Sequence, residues 1–282
     1  MGPLEYAIVG EGPYILCFHG GPGGYDQSVL NFDMFADAGF SLICVSRPGY
    51  LGTPLSTGKT IPEQADAAAL LLDALGIDKV YAIGASAGGP PTYEFAIRHP
   101  ERTNAIVVID GVSRTYSMPD QAGSIQQALF LSDPGLKFTL MVGDLFPRSV
   151  VAEIIRTEGR LPKEELKARI SHIMSDKKKV DYVLKLFHTM YPYSQRKEGT
   201  ENDLQNYSRI TELPVDRITA PALIIHGTAD ADVDFGDGLY AAGAIRGAEH
   251  FWVEKGTHLC FWVSPEAEEA QRTAIDFLKR HQ

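Results

Sequence analysis

Cysteine is scarce: Cys17, Cys44 and Cys260 are the only three in 282 residues. An odd, small number excludes a fold stapled by disulfides and points to a reducing compartment where thiols stay free. Cys17 and Cys44 lie inside apolar runs, where a thiol acts as a small buried hydrophobe. Positive charge is also in short supply, with 26 Lys and Arg against 36 Asp and Glu and a formal net charge of -10. Phosphate backbones and anionic membrane faces require a basic footprint, so neither is an expected partner. The one basic run, residues 177–179, follows Asp176 and reads as the solvated start of a helix. Long apolar stretches are missing, since nothing approaches the roughly 20 residues that span a bilayer. The first residues lack the basic and apolar regions of a secretory leader, and Tyr6 stands where myristoylation needs Ser or Thr. These absences set the expectation of a cytoplasmic protein with no membrane and no nucleic-acid partner. Its partner would be a small-molecule substrate, and a homodimer is left open.

What is present is a hydrophobic fraction of 44% arranged as short apolar runs. Residues 14–18, 41–45, 79–83, 105–109, 222–225 and 251–253 read as buried strands alternating with helical patterns. Continuous apolar runs of this length suit a mostly parallel sheet covered on both faces, an α/β fold. Thr60-Ile61-Pro62-Glu63 is a capping box with proline at the helix start, and Gly76 is the left-handed cap at the end of the same helix. Ser264-Pro265 reads as the opening of the last helix, with Glu266, Glu268 and Glu269 at its positive end. Between residues 112 and 213 the alternation stops, and consecutive amphipathic helices replace it, with Pro147 and Pro162 at starts and Gly159 at an end. The expected organisation is a core formed by 1–111 and 214–282, with a helical cap inserted over 112–213.

Four motifs carry chemistry. Gly-Ala-Ser-Ala-Gly at 84–88 follows a strand and precedes a helix, the context of a nucleophile elbow that lifts Ser86 above the sheet. Pro90 and Pro91 are tolerable only in the first turn of that helix. His-Gly-Gly-Pro-Gly-Gly at 19–24 follows the first apolar strand. Acyl transfer builds charge on a carbonyl oxygen, and backbone amides stabilise it. The amides of Gly21 and Ala87 are the expected oxyanion donors, while His19 is expected to hold the loop. His-Gly-Thr-Ala-Asp at 226–230 places Asp230 at a strand end, with Asp110, Asp232 and Asp234 as rivals for the role of acid. Gly-Thr-His-Leu at 256–259 places His258 after the last strand as general base. The order Ser86, Asp230, His258 is the one this chemistry uses on α/β-hydrolase scaffolds.

With these residues, and with Ser-Arg-Pro-Gly-Tyr-Leu-Gly-Thr-Pro at 46–54, the sequence resembles the α/β-hydrolase superfamily over nearly the whole chain outside the insertion. The resemblance implies a Ser-His-acid triad, a backbone oxyanion hole, a helical cap and neither cofactor nor metal. His172 and His188 have no companions at ligand spacing. The loop at 19–24 is similar to that of proline iminopeptidases. The elbow departs from theirs, with Ala87 where an aromatic usually stands, and no acidic residue of the insertion is marked as a holder of a substrate amine. Only a stretch of about Leu4 to Val9 precedes the strand at 14–18 as a candidate edge, so one edge strand is expected to be short or missing. Phe130, Phe138, Met141, Phe146, Phe187 and Met190 supply apolar surface for the insertion's own core and for an acyl pocket. The expected activity is serine hydrolysis of a small to medium, largely apolar carboxylic ester, lactone or thioester. The alternatives are an iminopeptidase-like aminopeptidase, an acyl-homoserine lactonase, a C–C hydrolase, a lyase or peroxidase-like relative, and a slow-turnover receptor.

Overall fold

A computed structural model describes residues 2–118 and 129–282. Seven strands form one sheet: β1 (Tyr6–Val9), β2 (Tyr14–Phe18), β3 (Ser41–Val45), β4 (Val80–Ala85), β5 (Thr103–Ile109), β6 (Ala222–Gly227) and β7 (Glu249–Val253). Their order is β1-β3-β2-β4-β5-β6-β7. All neighbours are parallel except β1, a four-residue antiparallel edge on β3. The edge strand that the sequence left in question is therefore short but present.

The apolar runs become strands because every residue of β3, β4 and β6 is buried. Side chains alternate between faces. Ile15, Cys17 and Ile83 pack with Phe32, Phe35 and Phe277 on one side, while Leu16, Ile43 and Ala82 pack with Ala65, Leu72 and Phe95 on the other. The covering helices are α1 (Tyr25–Asp37), α2 (Ile61–Leu75), α3 (Gly89–Arg98), α9 (Phe235–Ala244) and α11 (Ala267–Arg280). Helix α2 starts with the expected reciprocal capping box on Thr60 and Glu63 and ends at Gly76 with φ 68°. The last helix begins later than the sequence pattern suggests. Residues Cys260–Val263 form a separate turn, α10, and α11 opens at Ala267. Proline has no N–H to continue the first turn and disfavours helical backbone in the residue before it, so Pro265 separates the two.

From β2 the chain moves to one side of the sheet to make β3, then crosses to the other side to make β4. The carboxyl ends of β2 and β4 therefore flank the reversal, where open α/β sheets leave a crevice for ligands. The loops at 19–24 and 84–88 both leave the sheet there.

Between β5 and β6 lie α4 (Asp133–Leu145), α5 (Pro147–Thr157), α6 (Lys163–Met174), α7 (Lys177–His188) and α8 (Lys197–Tyr207). Helix α8 meets the loop after β3. Gly199 N donates to Gly49 O at 2.9 Å, and Leu51 N donates to Gln195 O at 2.8 Å. Under this contact Arg47, which is 1% exposed, pairs with Asp203 at 2.7 Å. Tyr50 Oη also donates to Asp203, at 2.6 Å. Burial alone would lower the Arg47 pKa, but the Asp203 charge holds it above its usual value, so the guanidinium stays charged. Removing one member of a buried pair strands the other, at a cost of about 3–5 kcal/mol. Asp203→Ala is expected to lower unfolding stability by that amount, read as a fall in the urea midpoint with unchanged slope.

Candidate active site

Ser86 occupies the tight turn between β4 and α3 with φ 54°, a left-handed conformation that a non-glycine residue adopts only under constraint. The two glycines of the motif explain how the turn closes. A Cβ on Gly84 would collide with the Thr92 hydroxyl and the Gly88 carbonyl, and one on Gly88 would collide with the Phe18 carbonyl. Pro90 and Pro91 fall in the first turn of α3, where their missing N–H groups break no helical bond.

The loop after β2 lies against this turn. The Cβ direction of Gly20 points to Ser86 Cβ at 3.4 Å, and that of Gly21 points to Ala87 Cβ at 3.5 Å. His19 is fully buried, and its Nδ1–H donates to Gly20 O at 2.6 Å while Nε2 accepts from Arg47 N at 3.0 Å. Burial, then the Arg47 charge, hold its imidazole well below the usual pKa, so it is neutral and braces two loops.

Asp230 follows β6, and its Oδ1 accepts from Asp232 N at 2.8 Å and Val233 N at 3.0 Å. Its Oδ2 takes the Nδ1 of His258 at 2.8 Å, and both side chains are buried. Of the rival acids, Asp234 pairs with Arg160 and caps α9. Asp110 accepts from Gly227 N at 2.8 Å and lies 4.0 Å from His226 rather than touching His258. Asp232 is the unexpected one, with its Oδ2 3.3 Å from His258 Nε2. Among the described residues no hydrogen bond joins Ser86 Oγ to His258, although both line one cavity. Asp232 faces the imidazole edge opposite the Asp230 bond, where a carboxylate attracts a charged imidazole more strongly than a neutral hydroxyl does.

The charges follow from this crowding. Burial would lower the His258 pKa, but the charges of Asp230 and Asp232 hold it well above its ordinary value. Burial would raise Asp230, yet His258 and His226 keep it below the usual carboxylate range. Asp110 is pushed up to about 6 by burial, partly offset by His226. Glu158 is pushed up to about 8 by burial and then by the Asp232 charge. Two groups of donor atoms, Asp110–His226–Asp230 and Glu158–Asp232–His258, each gather within 4.8 Å. In the first, His226 Nε2 lies 3.5 Å from Asp230, and in the second, His258 Nε2 lies 3.3 Å from Asp232. His172 accepts from Lys179 at 2.6 Å and lies outside both groups.

Glu158 reaches the site from the end of α5. Its carbonyl accepts from Ala231 N at 3.2 Å and His258 N at 3.0 Å, and Arg160 N donates to Ala229 O at 2.8 Å. A Cβ on Gly159 would collide with the Thr257 side chain, so glycine lets this strand-like segment lie between the two loops. The Gly159 that the sequence suggested as a helix end thus also makes a close approach.

A cavity opens over Ser86, with Gly21, Ala87, Phe130 and Met190 in its wall. Phe187 is buried in the helical core, whereas Phe138, Met141 and Phe146 are exposed. Among the described residues no Lys or Arg lines this cavity, while Glu158, Asp203 and Asp232 do. Tyr207 Oη donates to Ala87 O at 2.6 Å and anchors the far side of the turn. Arg47, Tyr50, Tyr116, Glu158, Asp203 and Tyr207 were not singled out by sequence. The motif at 46–54 contains the first two, but nothing in a helical pattern distinguishes Asp203 or Glu158 from solvated acids.

A family model described as alpha/beta hydrolase fold matches residues 13–265. The chain is 29% identical to an uncharacterized hydrolase, YcgS, of Bacillus subtilis, over 99% of this chain and 95% of that one. It is 27% identical to a 2-hydroxy-6-oxononadienedioate/2-hydroxy-6-oxononatrienedioate hydrolase of a Pseudomonas species, over 99% and 93%. The structure of an alpha/beta hydrolase fold protein from Nakamurella multipartita superposes with a TM-score of 0.94 at 38% identity, covering 99% of this chain and 96% of that one.

The close approach at Gly88 is checkable. Gly88→Ala places a methyl group against backbone oxygen, and such overpacking costs about 1–3 kcal/mol. The expected outcome is a lower melting temperature, whereas alanine at the open position Gly243, where nothing lies within 4 Å, leaves no such clash.

Proposed function

Since the chain belongs to the alpha/beta hydrolase fold family and is a hydrolase, we propose that it is a serine hydrolase of neutral carboxylic esters, lactones or thioesters, acting through Ser86. The observation that carries this reading is the Asp230–His258 hydrogen bond of 2.8 Å, facing the cavity that also holds the strained Ser86. In the first step His258 Nε2 takes the Ser86 proton, and Oγ bonds to the acyl carbon. Charge on the carbonyl oxygen rests on the amides of Gly21 and Ala87. The acyl–oxygen bond then breaks, and the leaving alkoxide takes the proton from His258. Water, activated by the same imidazole, cleaves the acyl-enzyme. Asp230 holds the imidazole and balances its charge.

The cavity supports this substrate class. Its wall is largely apolar, it carries the carboxyl groups of Glu158, Asp203 and Asp232, and no described Lys or Arg lines it. A dicarboxylate of the kind named for the Pseudomonas relative would find no described Lys or Arg in that wall to pair with. A neutral acyl chain needs none. A second reading, an aminopeptidase, gains support from one observation, the approach of Glu158 and Asp232 to the cavity. Comparing rates on matched acyl nitrophenyl esters and aminoacyl nitroanilides decides between the two, and the neutral-ester reading expects the esters to be turned over and the nitroanilides not.

Ser86→Ala is expected to reduce kcat by on the order of 10⁶-fold without loss of fold. Mass spectrometry of the wild type during turnover should show an acyl adduct on the peptide containing Ser86. Full activity in the variant would refute the assignment. The pH profile follows from the raised His258 pKa. Only the unprotonated imidazole accepts a proton, so kcat/KM should rise with pH along a limb centred above 6.5. A limb centred below that value would contradict the charge arrangement.

A further inference from the structure

We propose that Asp232 is a second carboxylate partner of His258, a positioning residue that holds the imidazole by its Nε2 edge in the resting enzyme, with Glu158 set against the pair. This rests on the reading of His258 as the base for Ser86. Three independent features of the geometry support it. Asp232 Oδ2 lies 3.3 Å from His258 Nε2, on the side opposite Asp230. The other oxygen of Asp232 accepts from Tyr116 Oη at 2.7 Å, which fixes the carboxylate facing the imidazole. Glu158 places its carboxyl within 4.8 Å of both, and its Oε2 is inaccessible to solvent with no hydrogen-bond partner among the described residues.

Asp232, Glu158 and His258 all line the cavity that holds Ser86. The imidazole thus stands between two acids, hydrogen-bonded to Asp230 through Nδ1 and within ion-pair distance of Asp232 at Nε2. Before Ser86 can give up its proton Nε2 must be unprotonated, so Asp232 sets the pH at which the base becomes available. The other groups near the imidazole are Asp110 after β5, His226 at the end of β6 and Cys260 on α10. Cys260 donates its S–H to Asp110 at 3.5 Å, and His226 Nε2 lies 3.5 Å from Asp230, so both face the Nδ1 side. Asp232 and Glu158 are the acids on the Nε2 side.

The test removes the Asp232 charge and reads the imidazole directly. In Asp232→Asn the ring resonances of His258, assigned by their loss in His258→Gln, are followed by NMR against pH. The pKa is expected to fall by about one unit, and kcat/KM below the wild-type midpoint to rise about tenfold. Asp232→Ser carries the same expectation and replaces Asp232→Asn should that variant not fold. Asp234→Asn keeps the exposed cap of α9 and removes a nearby charge directed at Arg160, so it should leave the His258 pKa in place. An unchanged or raised His258 pKa in both Asp232 variants overturns the proposal, and so does an equal shift in Asp234→Asn. The NMR titration needs no turnover. Failure of the Ser86 reading would appear instead as an active Ser86→Ala variant, with the titration still deciding the role of Asp232.

Discussion

The Asp230–His258 contact is the interaction around which the remaining geometry is arranged. It joins the loops after β6 and β7, two neighbouring parallel strands whose carboxyl ends meet at one edge of the cavity. A buried carboxylate and a buried imidazole are each costly alone, and together they stay charged because each offsets the desolvation of the other. Backbone amides of Asp232 and Val233 complete the solvation of Asp230. The same low-polarity surroundings push Asp110 and Glu158 upward, toward their neutral forms. One pair is kept ionised and the surplus acids around it are driven toward protonation, a separation of pKa values that acid–base sites depend on.

The helical segment between β5 and β6 is more than a cover. It is tied to the sheet domain at two places with different chemistry. Residues 158–160 are held by main-chain bonds between the loops that carry Asp230 and His258. Helix α8 is held by the buried Arg47–Asp203 pair and by Gly199 packed on Gly49. Tyr207, on the same helix, bonds the carbonyl of Ala87 beside Ser86. Displacing the insertion would therefore disturb the proposed base and the proposed nucleophile together, which couples pocket shape to the arrangement of the reacting groups.

Much of the fold was legible because strands in a doubly covered sheet must be apolar throughout, and the runs at 14–18, 41–45 and 105–109 have no other use. Glycine motifs were legible for a similar reason. At Gly84 and Gly88 any side chain would strike backbone or a neighbouring hydroxyl, so composition records the contact. The acids were harder. Asp110, Asp230, Asp232 and Asp234 are alike in sequence, yet one is hydrogen-bonded to His258, one faces its other edge, one is buried beside His226 and one is at the surface. Burial and direction separate them, and neither is a local property. Pro265 shows the smaller limit: the proline signalled a boundary, but two helical segments meet near it and the pattern alone did not divide them.

By itself the sequence determined the layered α/β architecture, the sharp turn at Ser86 and the order along the chain of the residues proposed to react. Each of these is a matter of local sterics or of which stretches must leave water. The tertiary structure alone decided that Glu158, a mid-chain acid at a helix end, and Asp232, two residues from Asp230, would meet beside one imidazole. Such convergence depends on how the insertion is docked against the sheet. The energy of a charge depends on what surrounds it in space, which neighbours in sequence do not reveal.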